Sequence, residues 1–250
     1  THSLMIYFVS DAHLGSRLVK NPREHEMRLV NWLDKVKSDA EAIYMLGDMF
    51  DFWFEYKTVM PKGFVRFLGK MAELTDSGIE IHYFTGNHDI WTFGYLEHEI
   101  GLKIHRMAEI IELSGKKFYL AHGDELFSDE KGFKIIRRIF HSPTLQKLFQ
   151  LLPPRIGQNF GYAWSKSNRE KILHLENNYQ GEENEPLVVF AKKFVESHDV
   201  DFLIFGHRHI ELDLELKTQS RVIILGDFIG IFSYGIFDGV NFRLEADAPA

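Results

Sequence analysis

Short apolar runs recur along this chain, and each is bounded by glycine or a polar residue. Runs of four to six branched or aromatic residues with such boundaries are typical of buried strands. We therefore predict strands over residues 5–9, 42–46, 79–84, 117–121 and 202–205.

Amphipathic segments between these runs predict helices. Asn21 and Pro22 supply a cap residue and a first-turn proline, so a helix is predicted over 22–37. Proline and glycine likewise delimit predicted helices within 61–78 and over 186–198. The strand-helix-strand-helix-strand order of the N-terminal part predicts parallel strands joined by right-handed crossovers.

The C-terminal part has a different pattern. Segments 211–217, 221–225, 232–237 and 241–244 predict hairpin strands, the last two joined at an Asp-Gly turn. We expect these strands to form a second, more antiparallel sheet.

Composition limits the class of protein. With 250 residues, no cysteine and a net charge of −7, the chain is predicted to be an α/β protein without disulfides. The sequence shows no basic, apolar leader and no apolar run near 18 residues, so we expect a cytoplasmic protein without a membrane span. The acidic balance argues against nucleic-acid binding, and the oligomeric state stays open.

Each predicted strand is followed by a polar cluster. The clusters are Asp11-Ala12-His13, Gly47-Asp48-Met49-Phe50-Asp51, Gly86-Asn87-His88-Asp89, His122-Gly123-Asp124 and Gly206-His207-Arg208-His209. Any one of them is more often a turn or cap than a metal site. Five in series make coincidence a poor explanation, and strands of one sheet bring such loops to a common edge.

The residue types indicate the chemistry. Two carboxylates, one amide and four imidazoles suit two divalent ions that share a carboxylate, with manganese, iron or zinc favoured. Two such ions clamp the attacking and leaving oxygens in phosphoryl displacement. The predicted ligands are Asp11, His13, Asp48, Asn87, His122, His207 and His209.

The ordered motifs D-x-H, G-D-x-x-D, G-N-H-D, H-G-D and G-H-x-H resemble those of the calcineurin-like metallophosphoesterase superfamily over residues 11–209. The resemblance implies an α+β four-layer fold, a two-sheet β-sandwich flanked by helices. It also implies one ion on Asp11, His13, Asp48 and His209, and a second on Asp48, Asn87, His122 and His207.

The same resemblance implies the catalytic groups. Asn87 and His88 stabilise charge on the reacting phosphate, with His88 as a proton or hydrogen-bond donor and Asp89 orienting it. Asp51 and Asp124 are expected to orient ligand histidines, since a ligating imidazole usually donates its other N–H to an oxygen.

Residues 47–53, residues 11–15 and the long insert after His122 are similar to the UDP-2,3-diacylglucosamine pyrophosphohydrolases of the lipid A pathway. This similarity implies cleavage of the substrate diphosphate to UMP and 2,3-diacylglucosamine 1-phosphate. Two Mn²⁺ ions are the expected cofactor, with iron, zinc and magnesium as alternatives.

The insert has its own charge pattern. Residues 131–171 contain nine basic residues and one acidic residue, and their apolar positions predict amphipathic helices. We predict a core of residues 1–125 and 186–250, and a basic helical cap of residues 126–185. The cap is expected to contact a nucleotide-linked glycolipid and the cytoplasmic face of the inner membrane. The alternative is that its basic faces only point to solvent.

Substrate contacts are predicted at five positions, namely Arg17, Ser165, Lys166, Asn168 and Arg169. The aromatic residues 52–56 are expected in the core, with the border of the substrate entrance as the alternative.

Two alternative functions are also consistent with the sequence. A phosphodiesterase or phosphatase acting on a soluble ester is favoured by His88, because the enterobacterial lipid A enzymes carry arginine at this position. A non-catalytic scaffold of the same fold is the second, although such proteins typically lose ligand residues, and all are present here.

Overall fold

The computed structural model describes residues 4–127, 131–172 and 178–247. These residues form eleven strands and seven α-helices. The strands are β1 (Met5–Val9), β2 (Ala40–Leu46), β3 (Glu80–Phe84), β4 (Lys103–His105), β5 (Glu109–Leu113), β6 (Lys116–Ala121), β7 (Phe202–Phe205), β8 (Glu211–Glu215), β9 (Arg221–Leu225), β10 (Ser233–Phe237) and β11 (Phe242–Ala246). The helices are α1 (Pro22–Val36), α2 (Val65–Asp76), α3 (Tyr95–His98), α4 (Lys131–Phe140), α5 (Pro143–Phe149), α6 (Pro154–Ile172) and α7 (Pro186–Phe194).

The strands form two mixed sheets. The first has the order β11-β10-β1-β2-β3-β4 and the second β5-β6-β7-β9-β8. Strands β1 to β4 are parallel, as are β6, β7 and β9, while the remaining pairs are antiparallel. The predicted parallel pairing of the first three strands is confirmed.

The alternation of side chains along β1 shows how the layers form. Ile6 and Phe8 point between the two sheets, where they pack with residues such as Phe118 of β6. Tyr7 and Val9 point to the other face and pack against α1 and α2. Helix α7 covers the outer face of the second sheet. The result is a helix-sheet-sheet-helix arrangement, which confirms the predicted fold class.

Two expectations about the sheets are wrong. The last four strands do not form a sheet of their own, because β10 and β11 extend the first sheet beside β1, whereas β8 and β9 belong to the second. The five strands that carry the polar clusters also lie in both sheets. Their clusters still converge, since both sheets direct the ends of these strands toward one edge of the sandwich.

Helices α4 to α6 lie in the segment after the fourth polar cluster for which a helical cap was predicted, and we refer to these three helices as the cap. The cap contacts an aromatic surface of the core. Phe52, Phe54, Tyr56 and Trp91 are buried together there, and residues of all three cap helices pack against them. The aromatic residues that follow Asp48 are therefore core residues that also seat the cap. Within the described ranges, no helix combines the length and apolar character needed to cross a bilayer.

Candidate active site

The predicted ligand residues converge at one edge of the sandwich. Two groups have their ligand atoms within 4.8 Å of one another. The first consists of Asp11, His13 and His209, and the second of Asp48, His122 and His207. Both groups combine residues that follow strands of the first sheet with residues that follow strands of the second.

Asp48 lies between the two groups. Its Oδ2 atom is 3.7 Å from Nε2 of His13 and 3.3 Å from Nε2 of His122. The amide oxygen of Asn87 is 3.3 Å from the same His122 nitrogen. This placement matches the position expected of a carboxylate shared by two ions, with Asn87 on the side of the second group.

The donor set fits a pair of divalent cations. Asp11 is fully buried, and its Oδ1 atom has no hydrogen-bond partner among the described residues. That oxygen lies 3.6 Å from His13 Nε2 and 3.4 Å from His209 Nε2, which is too long for a good hydrogen bond. A buried carboxylate oxygen facing two imidazole nitrogens at these distances is suited to a cation between them.

Three glycines keep space around these ligands. A Cβ atom at Gly86 would lie 2.1 Å from Asp48 Oδ1, and one at Gly206 would lie 2.6 Å from Asp11 Oδ2. A Cβ at Gly47 would lie 2.6 Å from Nδ1 of His122. Any side chain at these positions would displace a ligand group, so glycine is required at the start of these three clusters.

The backbone at the ligands is strained. Five of them have positive φ angles, a region that non-glycine residues seldom adopt. The angles are 54° at Asp11, 44° at His13, 53° at Asp48, 68° at His207 and 50° at His209. The tight turns after the strands aim these side chains at a common centre, and the packed sandwich holds them there.

Burial and neighbouring charges shift the pKa values of these residues, some upward and others downward. Burial raises the pKa of Asp11, whereas for Asp48 the charges of His122 and His88 outweigh burial and lower the pKa. Burial lowers the pKa of His207 well below its usual value, which favours the neutral ring that a metal requires. His122 behaves differently. Burial would lower its pKa, but the negative charge and hydrogen bond of Asp48 have the larger effect and raise it.

His88 lies beside the ligands but makes different contacts. Its Nδ1 atom is 2.9 Å from the backbone carbonyl of Asp51. Since a carbonyl only accepts, Nδ1 carries the proton and Nε2 points toward the site, 3.9 Å from Oδ2 of Asp48. The ring also lies 5.6 Å from that of Trp164 in the cap, measured between centroids.

The structure gives Asp89 a role other than orienting His88. Its Oδ1 accepts a hydrogen bond from the Gly86 amide at 2.7 Å, and its Oδ2 accepts from the Met49 amide at 2.9 Å and from the Tyr83 hydroxyl. The prediction that Asp89 steers His88 is therefore corrected, because the carbonyl of Asp51 does so. Asp89 instead ties the second polar cluster to the third, and burial raises its pKa to about 6.

Asp51 lies near its predicted partner, with its Oδ1 3.6 Å from Nδ1 of His13, which is longer than a good hydrogen bond. Asp124 does not take its predicted place, since its carboxylate faces Arg137 at 3.6 Å. The ring of His122 is oriented instead by the backbone carbonyl of Leu46, which is 2.8 Å from its Nδ1.

Asp227 was missed by the sequence reasoning. Its Oδ2 is 3.2 Å from Nδ1 of His209, and its Oδ1 accepts hydrogen bonds from three loop amides, at residues 229–231. Burial would raise its pKa, but the contact with His209 and these amides lower it to about 2. A signal was present: Asp227 follows Gly226 at the end of β9, the same Gly-Asp pattern that identified Asp48.

Arg208 is a second missed residue, located between two ligand histidines. It is buried, and its guanidinium pairs with the fully buried Glu185 at 2.7 and 3.1 Å. Glu185 is the residue before α7, where the chain returns from the insert. The pair fixes the last ligand loop to the end of the cap segment.

The predicted substrate residues lie on or facing helix α6. Arg17 donates a hydrogen bond to Asn159 at 3.2 Å, and its guanidinium lies 5.5 Å from the ring centroid of Tyr162. Ser165 is buried and its hydroxyl has no hydrogen-bond partner among the described residues, while Lys166 is exposed. The side chains of Asn168 and Arg169 lie outside the part of the chain that the structure describes.

The sequence of this chain is similar to those of known proteins. A family model described as calcineurin-like phosphoesterase matches residues 4–211. The UDP-2,3-diacylglucosamine hydrolase of Porphyromonas gingivalis is 46% identical over 253 residues, covering 96% of this chain and 97% of that protein. The enzymes of the same name from Haemophilus influenzae and Neisseria gonorrhoeae are 29% and 27% identical, and each covers 89% of this chain. The shares of those two proteins covered are 90% and 89%.

The match spans all five polar clusters, and the relatives are similar over nearly their whole length. The predicted superfamily and the resemblance to the UDP-2,3-diacylglucosamine group are thereby confirmed. The chain belongs to the calcineurin-like phosphoesterase family.

Proposed function

We propose that this protein hydrolyses the diphosphate of UDP-2,3-diacylglucosamine, releasing UMP and 2,3-diacylglucosamine 1-phosphate. The observation that carries the proposal is the 46% identity to the Porphyromonas gingivalis hydrolase over almost the full length of both chains. The convergence of the predicted ligands supports an enzyme over a scaffold, because a scaffold has no need for buried, strained ligand residues.

Divalent metal ions are implied by the family, and the two ligand groups are the residues that would hold them, with Asp48 shared. Bound there, such ions stabilise negative charge on the reacting phosphate and make water a stronger nucleophile. We propose Mn²⁺ as the natural ion, since oxygen and imidazole ligands without sulfur suit it, with iron, zinc and magnesium as alternatives.

His88 and Asn87 are the proposed catalytic groups of the chain itself. The Asp51 carbonyl holds the proton of His88 on Nδ1, so Nε2 accepts a proton when the ring is neutral and donates one only when the ring is charged. When it is charged, the same fixed ring is therefore able to donate a hydrogen bond to a phosphate oxygen and to pass a proton to the departing phosphate. Trp164 in the cap limits the access of water to this ring.

The cap is proposed to hold the lipid. Large apolar side chains of the cap are exposed to solvent, which is unusual for so short a segment. They are Ile135, Ile136, Ile139, Leu145, Leu148, Leu151, Leu152, Ile156 and Phe160. Together with the excess of basic residues over residues 131–171, this surface suits acyl chains and anionic lipid headgroups. We place the protein peripherally on the cytoplasmic face of the inner membrane.

The activity is tested by incubating the Mn²⁺-loaded protein with UDP-2,3-diacylglucosamine and measuring UMP and the sugar phosphate by mass spectrometry. Both products are expected, and Asp48→Ala should abolish them. Absence of UMP while bis(4-nitrophenyl) phosphate is still cleaved would exclude the lipid substrate and leave a functional metal centre.

Membrane contact is tested separately with vesicles. Sedimentation with phosphatidylglycerol vesicles should exceed that with phosphatidylcholine vesicles, and Leu151→Ser should reduce it. Leu151 is 79% exposed, and Val65 on α2, 72% exposed, supplies the matched control Val65→Ser. Equal sedimentation of the two variants would contradict the proposed docking face.

A hydrolase acting on a soluble phosphoester is the second candidate. It is favoured by His88, which is the residue typical of the wider superfamily at this position. Turnover of cyclic nucleotides or bis(4-nitrophenyl) phosphate at rates far above that of the lipid substrate would support it.

A further inference from the structure

A cavity with a mixed polar and apolar lining lies near the second ligand group and has no role in the mechanism above. It has a volume of about 500 Å³ and lies between the loop after β3 and the start of α5. Thr85, Ile90, Arg106 and His141 line both this cavity and a narrow cleft that includes His122. The cavity therefore adjoins, through these four residues, the cleft that His122 lines.

The cavity has the size and rigidity of a ligand site. Ligand pockets span about 300–1,000 Å³. Its rim is held in place by Glu55, a buried carboxylate that accepts hydrogen bonds from the amide of Phe93 and, at 3.0 Å, from that of Tyr95. The Phe93 ring packs edge-on against Phe54 at 5.6 Å between centroids, yet 44% of the side chain stays exposed.

The lining is unsuited to acyl chains. Arg106 donates hydrogen bonds to Glu97 and to the carbonyl of Thr92, each at 3.2 Å, which leaves the guanidinium fixed at the cavity wall. An alkyl chain there would remove water from this ion pair without replacing its hydrogen bonds. A ribose and a pyrimidine base offer both hydrogen-bonding groups and a flat face, and Phe93 presents a complementary aromatic face at the rim.

The glycolipid half of the proposed substrate is expected on another side of the metal centre, toward α6. Two of the residues predicted to contact the substrate, Arg17 and Ser165, are not among the described residues that line this cavity. Arg17 follows the cluster of the first ligand group and contacts α6. A diphosphate at the metal centre would thus direct its two substituents to opposite sides, toward the cavity and toward α6.

We infer that this cavity binds the uridine portion of the substrate, with the base against Phe93 and the ribose toward Arg106. The inference rests on the proposed function, because the occupant is the nucleotide half of the proposed substrate. The inference also sets the orientation of the substrate, with the nucleotide on the His122 side and the glycolipid on the α6 side.

The test measures binding of UMP to the Mn²⁺-loaded protein by calorimetry. Stacking of a base on an aromatic ring contributes about 1–3 kcal/mol, so Phe93→Ala should raise the Kd of UMP at least about fivefold. Phe93→Trp should restore it. Turnover of bis(4-nitrophenyl) phosphate, a diester without uridine, is measured in both variants, and the rise in the Kd of UMP should exceed any change in that turnover. Val240→Ala, at an exposed turn residue, is the matched control.

A second measurement uses the unmodified protein. Photoactivated 4-thiouridine monophosphate should crosslink to a peptide within residues 90–106, and crosslinks confined to helix α6 would overturn the inference. Lipid hydrolysis together with UMP binding that is unchanged in Phe93→Ala would overturn the cavity assignment alone. UMP binding that depends on Phe93, without lipid hydrolysis by the wild-type protein, would overturn the proposed function alone.

Discussion

Gly161 is a point of close approach between α6 and the aromatic residues that seat the cap. A Cβ atom there would lie 2.4 Å from three ring atoms of Phe52. Phe52 is 3% exposed and packs against Trp91 and Tyr162, so its ring has no space into which to move. Gly161→Ala is therefore expected to push α6 away from the core.

The expected magnitude combines two opposing effects. Overpacking a filled core costs about 1–3 kcal/mol. Replacing glycine by alanine inside a helix gains about 0.5–1 kcal/mol, because alanine loses less backbone entropy. The net change for Gly161→Ala is a loss of up to about 2.5 kcal/mol, expressed as global destabilisation or as opening of the cap.

Gly69 provides the matched control. It lies within α2, and a Cβ atom there would have nothing within 4 Å. Gly69→Ala should show only the gain in helix propensity, a rise in Tm of about 1–4 °C for a chain of this size.

The assay compares thermal unfolding, cleavage of the cap by a protease, and KM for the lipid substrate. Gly161→Ala should lower Tm or speed cleavage within the cap, and should raise KM for UDP-2,3-diacylglucosamine more than KM for bis(4-nitrophenyl) phosphate. If Gly161→Ala raised Tm as much as Gly69→Ala and left the cap equally resistant and both KM values unchanged, the described seating of the cap would be refuted.

Three further predictions concern the ligand loops. Asp227→Asn should weaken metal binding about 10–100-fold, because His209 loses its carboxylate partner, and excess Mn²⁺ should restore hydrolysis; equal metal titration curves would contradict this. Arg208→Met should cost about 3–5 kcal/mol in the free energy of unfolding by leaving Glu185 buried without its partner, and adding Glu185→Gln should recover part of the loss in urea denaturation. A chelator should abolish hydrolysis in the wild-type protein and Mn²⁺ should restore it, whereas Asp48→Ala should stay inactive with every metal added.

The convergence of the predicted metal ligands could be foreseen because their signal in the sequence is local. A buried strand followed by a turn and a ligand residue is visible within about ten residues. The local turn sets the direction of the side chain, so distant parts of the chain are not needed to predict it. Asp227 shows that the same rule reaches further, since it follows Gly226 at the end of β9 in the same way.

The orientation of these groups was not predictable in the same way. Asp89 is adjacent to His88 in sequence but points to Tyr83 and to loop amides, and the partner of His88 is the carbonyl of Asp51. Neighbouring residues in a tight turn direct their side chains apart, so adjacency in sequence carries no information about contact.

The allocation of strands to sheets also required the tertiary structure. The hairpin of β10 and β11 has the alternation of an antiparallel pair, but nothing in that alternation states which free edge it joins. It joins β1, and the apolar faces of the two sheets then enclose Phe8, Phe118 and Phe237.

The sequence alone thus determined the strand-end clusters, the ligand types and the basic insert, because each depends on residues close together in the chain. The tertiary structure decided which groups meet: the two ligand groups across the two sheets, Asp227 beside His209, the seat of the cap at Gly161 and the cavity that adjoins the cleft at His122. These depend on how two sheets and a cap pack against one another, which is set by the fit of distant side chains in a dense core.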